Sequence, residues 1–153
     1  MKKLVLIFAL FLCSCAVGDD ARIVPQIPDA PLLDINELAD LILESAEFPA
    51  MITYTEQSDI EIFLPGIDFS GIEEIILIQQ ALSVHLIEVV LIKPATGEAA
   101  DFLRERQKTL REQLAFYPAQ VLSAEASVVG NVHNIAFLIC HEQAAEIENK
   151  LFN

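Results

Sequence analysis

Two dense apolar runs lie close together in the chain, "IEEIILIQQ" from Ile72 and "HLIEVVLIK" from His85, and they restrict the fold more than any other feature. Both are rich in β-branched residues, whose stiff side chains suit a pleated surface, and the break between them is short. Runs this close pair antiparallel, so a β-hairpin is expected here. A helix is expected next, over about Gly97 to Phe116. A second pair of short strands follows, about Ala124 to Val129 and Val132 to Cys140, turning through Gly130-Asn131, and "QAAEIENKLF" closes the chain as a helix. Strand-strand-helix order thus occurs twice. "VHLIEVVLI" from Val84 and "VHNIAFLIC" from Val132 look alike, with His85 and His133 in equivalent places, as a faint internal repeat would have them.

Ahead of the hairpin, "DINELADLILESAEF" spaces Asp34 and Glu37 as a capping box and puts Ile35, Leu38, Ala39, Ile42 and Ala46 on one face. One amphipathic helix is predicted there, stopped before Pro49, with a short helical turn after Ser58-Asp59 that ends at Pro65-Gly66. The expected class is α+β. An antiparallel sheet of about four strands carries helices packed on one face, in the order β-β-α-β-β-α after an N-terminal helix.

The start of the chain reads as an address rather than as fold. Lys2 and Lys3 precede an uninterrupted apolar run, Leu4 to Leu12, that ends at small residues, the pattern of a bacterial export signal. The run falls short of the ~20 residues a transmembrane helix needs. Leu12-Cys13-Ser14-Cys15 has the form of a lipobox: a branched apolar residue, a variable one, a small one, then the cysteine that is acylated. Cys15 fits that last place. Cys13 does not, because bulky Leu12 would stand just before its cleavage point, so Cys13 leaves with the leader. The expected organisation is a signal peptide over residues 1–14, a lipidated cysteine and Pro-containing spacer over 15–31, and one α+β domain over 32–153. The membrane partner would then be engaged through a diacylglyceryl group on Cys15, and two buried acyl chains at about 0.8 kcal/mol per methylene hold firmly. Residues 16–31, with three prolines, read as a spacer that reaches up to roughly 50 Å at about 3.1 Å per residue. The expected location is exported, lipid-anchored to the outer face of the bacterial membrane.

Charge narrows the partners. Residues 1–14 carry two of the nine basic side chains and none of the 23 acidic ones, so seven cations face 23 anions in the remainder, a formal charge of −16. Such a surface repels nucleic acid and anionic membrane alike. With Cys13 removed and Cys15 acylated, Cys140 is the one thiol left, which rules out an intramolecular disulfide. Packing has to supply the stability.

Catalytic patterns are thin. The sequence holds no Gly-x-Ser-x-Gly elbow, no phosphate-cradling glycine loop and no His-Glu-x-x-His helix. No metal or cofactor set is read from His85, His133 and His141, which fit ordinary positions near strand ends. Cys140 and His141, as strand neighbours, should point to opposite faces, and Cys140 reads as a small buried hydrophobe.

Arg106 is the odd residue. A helix from Gly97 places Ala99, Phe102, Leu103, Leu110, Leu114 and Tyr117 along one stripe with Arg106 in the middle, and eleven residues at about 100° each return Tyr117 to nearly the heading of Arg106. On one view Arg106 lays its stem on the core and pairs with a carboxylate at the edge. On the other, Arg106 and Tyr117, with Arg104, Lys108 and Arg111, form a cationic ligand-binding site for an acidic group, which the planar guanidinium fork suits.

The strand ending in Lys93, the segment "RQKTLREQLAFYP" that holds Arg106 and Tyr117, and Gly130 before the last strand give the chain its resemblance to a family of short bacterial lipoproteins that share a domain of unknown function. The similarity runs from about Ile35 to Phe152. Where that family places an aromatic soon after the glycine, this chain has Asn131, Val132 and His133. The resemblance implies an exported, anchored protein and supplies no reaction. The expected function is therefore a lipid-anchored extracytoplasmic binding or interaction module, whose partner is an envelope protein or a small acidic ligand. A cell-envelope hydrolase or wall-modifying enzyme is the alternative.

Overall fold

The computed structural model describes residues 33–82 and 85–152. The leader, Cys15 and the spacer lie outside the described residues. The fold is α+β. Helix α1 (Ile35–Ser45) is followed by strand β1 (Met51–Tyr54), helix α2 (Gln57–Phe63), strands β2 (Glu74–Gln80) and β3 (Glu88–Lys93), and helix α3 (Gly97–Thr109). A π-helical turn over Leu110–Leu114 leads to helix α4 (Pro118–Ala126), strands β4 (Val128–Val132) and β5 (Ile135–Cys140), and helix α5 (Ala144–Phe152). The strands form one open antiparallel sheet in the order β1-β2-β3-β5-β4, five strands rather than about four. The extra one is the short edge strand β1, which precedes the expected hairpin and lacks a long apolar run of its own.

Local chemistry explains the element boundaries. Asp34 caps α1, its Oδ1 accepting from the Asn36 side-chain amide at 3.1 Å and from the backbone N–H groups of Asn36 at 2.8 Å and Glu37 at 3.4 Å, and these bonds, the side-chain one first, hold its carboxyl below the usual range. Of the strand expected over about Ala124 to Val129, residues 124–126 are helical instead and β4 starts at Val128, because Pro118 opens α4 at its first turn and the Ala-rich stretch "PAQVLSAEA" favours helix.

The second hairpin turns at His133-Asn134, where His133 has φ of 50°, and not through Gly130-Asn131. Gly130 lies inside β4, opposite Phe137. A Cβ at residue 130 would stand 2.6 Å from the Phe137 ring, so this glycine is required by close cross-strand approach, not by a turn. Phe137 is buried and packs on Phe152 with ring centroids 4.8 Å apart, so it has little room to yield. Gly130→Ala is expected to cost about 1–3 kcal/mol, read as a lower denaturant midpoint at unchanged slope. No change in midpoint would mean the ring can move aside.

Helices cover both faces of the sheet, which corrects the one-face expectation. On one face α1 and α5 bury Ile35, Leu38, Ile42 and Ile147 against Ile76, Ile78, Val89, Leu91 and Phe137. On the other, α2 and α3 bury Ile60, Leu64 and Leu103 against Ile75, Leu77, Val90, Ile92 and Leu138. Successive residues of a strand point to opposite faces, so β3 and β5, covered twice, need apolar side chains at consecutive positions. The two strand-strand-helix units put their helices on opposite faces, so the sequence repeat is not matched in helix placement.

Candidate functional site

Arg106 reaches down from α3 to the first residue of β3. Its Nε donates to Glu88 Oε1 at 2.8 Å and one terminal nitrogen to Oε2 at 2.6 Å, a bidentate pair with side chains 10% and 3% exposed. Gln79, directly across on β2, donates a further bond to Oε2 at 2.8 Å. Burial works against the guanidinium charge, but the Glu88 hydrogen bonds and charge outweigh it and hold Arg106 above the usual arginine range. Cys140 stands opposite Glu88 on β5, fully buried, and donates its thiol to the Leu86 carbonyl at 3.2 Å. Burial, then the Glu88 charge, pushes that thiol up to about 12, so it is a protonated core group rather than a nucleophile.

The other cations read from the sequence do not gather around Arg106. Arg104 pairs with Asp101 at 2.7 Å and Lys108 with Glu105 at 3.7 Å, both on the exposed side of α3. Arg111, in the π-helical turn, donates to the carbonyls of Ala124 at 3.0 Å and Ser127 at 3.1 Å, binding the end of α4. Tyr117 is not on Arg106's heading, because the α-helix gives way to the π-helical turn at Leu110 and Tyr117 stands at the N-cap of α4. One is in the core; the other is on the surface.

What forms around Tyr117 instead is an apolar corner. Leu114, Phe116, Tyr117 and Leu122 are 36%, 77%, 66% and 58% exposed, half of the exposed large hydrophobics among the described residues, while the rest are dispersed over α1, β1, α2 and the β2–β3 turn. The backbone of the two aromatics is pinned: the buried Gln120 side chain accepts from the N–H groups of Phe116 at 3.0 Å and Tyr117 at 3.2 Å. Aromatic groups held out on a pinned backbone bind at small entropic cost. Periodicity alone hides this corner, since it continues the α3 stripe through residues that the π-helical turn redirects. The sequence "LAFYP", with a proline ending an apolar run, was the signal that could have revealed it.

Other features are distributed. His141 is buried, with Nδ1 accepting from Gln143 N–H at 3.0 Å and the ring 4.7 Å from Phe48. Among the described residues no group of three or more His, Cys, Asp or Glu side chains could hold a metal ion. A cavity of about 280 Å³ lies between the 66–72 loop and the start of α3, lined by Ile67, Ile72, Thr96, Glu98 and Phe102 among others.

The family described as Domain of unknown function (DUF4358) matches residues 45–141, well over half of the chain. The chain belongs to this family. The matched DUF4358 segment takes in all five strands, the Glu88–Arg106 pair and the apolar corner, while α5 and nearly all of α1 lie outside it. No curated protein matches the chain, and neither does any solved structure.

Proposed function

We propose that the chain is an exported, lipid-anchored binding or interaction module of the bacterial envelope, belonging to the short lipoproteins it resembles, and that it holds its partner at the Leu114–Leu122 corner. The observation that carries this reading is the concentration of exposed Leu114, Phe116, Tyr117 and Leu122 within nine residues, where Gln120 pins the backbone at Phe116 and Tyr117. Exposed apolar patches of this kind mark interaction sites, and tyrosine is enriched among the residues that dominate binding energy. The leader and Leu12-Cys13-Ser14-Cys15 support the anchor. Among the described residues no helix is long and apolar enough to cross a membrane.

The position of the corner fits a tether. Ile35 and Asn36 line one cavity with Glu73 and Glu74, so α1 begins beside the start of β2, which pairs with the end of β3. The corner follows the opposite end, where Arg106 meets Glu88 at the start of β3. A domain held through its N-terminus then carries the corner on its far side.

Two measurements on the full chain test this function. Cys15→Ser is expected to abolish fatty-acid labelling, and undiminished label would remove the anchor from the proposal. Phe116→Ser with Tyr117→Ser is expected to abolish capture of envelope components by cross-linking, at an unfolding midpoint within a few degrees of the parent, because substitutions of exposed side chains typically change stability by about 0.5 kcal/mol or less. Unchanged capture would remove the corner from it.

A further inference from the structure

The outer face of α3 carries charges of alternating sign, Asp101, Arg104, Glu105 and Lys108, all exposed. Within one chain they form i,i+3 pairs, which at such exposure contribute little. Their order has a second property. When the helix is reversed and laid against itself about a point between Arg104 and Glu105, Asp101 meets Lys108 of the other copy and Arg104 meets Glu105, so every charge faces its opposite. A slip of one turn in one direction sets Asp101 against Glu112, and in the other it leaves Glu105 and Lys108 opposite Ala100 and Gly97. One antiparallel register alone satisfies all four.

We propose that this face of α3 is a self-association surface, on which two copies of the chain pair antiparallel about a two-fold axis near residues 104 and 105. A second copy is the occupant because of charge. With 23 acidic against nine basic side chains, two copies repel each other over most orientations. The outer face of α3 holds two cations, Arg104 and Lys108, against two anions, Asp101 and Glu105, so it is a balanced patch on which two such chains meet without opposing like charges. An isologous contact needs a self-complementary patch, and this register supplies one. Rim charges of this kind fix orientation and register more than affinity, and one helix face falls at the small end of specific interfaces. The pair is weak and salt-sensitive. This inference goes beyond the binding function and depends on neither the anchor nor the Phe116–Tyr117 corner.

Oxidative cross-linking of the full chain tests it. Glu105→Cys, beside the axis, is expected to give a covalent homodimer with copper phenanthroline, and Glu98→Cys, whose two copies lie far from the axis, is not; the wild-type chain sets the background from its own cysteines. Charge reversal is the second arm. An all-acidic face, Arg104→Glu with Lys108→Glu, and an all-basic face, Asp101→Lys with Glu105→Lys, are each expected to lose self-capture by about tenfold or more, while a mixture of the two restores capture as a heterodimer. Thermal midpoints establish that each variant is folded. Cross-linking at residue 98 equal to that at 105, no dimer at low salt, or reversed faces that still self-associate would each overturn the proposal.

Discussion

Arg106→Met lowers the unfolding free energy by an expected ~3–5 kcal/mol, the cost of leaving one charge of a buried pair without its partner. Glu88 is 3% exposed on its side chain and accepts two bonds from Arg106, so removing the guanidinium strands a carboxylate between α3 and the central strands. Arg106→Lys keeps the charge but loses the fork, and falls between. The informative variant is the double replacement, Arg106→Met with Glu88→Met. Because a buried ion pair repays little more than its own desolvation, removing both charges should restore most of the loss, to within about 1–2 kcal/mol of the parent. Urea unfolding of the parent, Arg106→Met, Glu88→Met and the double variant gives the cycle directly. A single-variant loss below about 1 kcal/mol would show that solvent screens the pair.

That pair also shows how much of the molecule was legible. Arg106 in the middle of an apolar stripe and Glu88 in the apolar run "HLIEVVLIK" are each anomalies of sequence, and the anomalies are partners. Periodicity exposed one of them but could not join residues 18 apart in the chain. The first hairpin, the Asp34 cap and both ends of α5 to within a residue were likewise readable, since they rest on local chemistry. Coverage of both sheet faces was readable too and was missed: Ile75–Ile78, Val89–Ile92 and Ile135–Cys140 contain no polar alternation, which a sheet with one wet face requires. Gly130 misled because glycine marks both turns and close approach, and only the Phe137 ring decides between them. The Tyr117 corner was hidden for a different reason. It depends on a π-helical turn, an insertion in helical phase that apolar periodicity does not register, and only the proline closing "LAFYP" marks the break.

Cys140 gives the second large effect and a check on the first. Alkylation of Cys140 at pH 8, followed at the peptide level so that Cys13 and Cys15 are read separately, is expected to run about a thousandfold or more slower than in the urea-unfolded chain. The thiolate is the reactive form, and burial, then Glu88, pushes the folded thiol up to about 12, so reaction must proceed through opened chains in which the thiol returns to about 8.5. The sign of the Arg106→Met effect then separates two mechanisms. Arg106 pulls the thiol down, so in the folded state its removal leaves even less thiolate, and a reaction within the closed core would slow. Reaction through opening must instead speed up in proportion to the lost stability, about a hundredfold to a few thousandfold for 3–5 kcal/mol. Faster labelling in the variant places the Glu88–Arg106 pair among the contacts that keep α3 closed over the sheet. Labelling of the native chain within tenfold of the unfolded rate would show that Cys140 is reached without unfolding, and would take that contact out of the core.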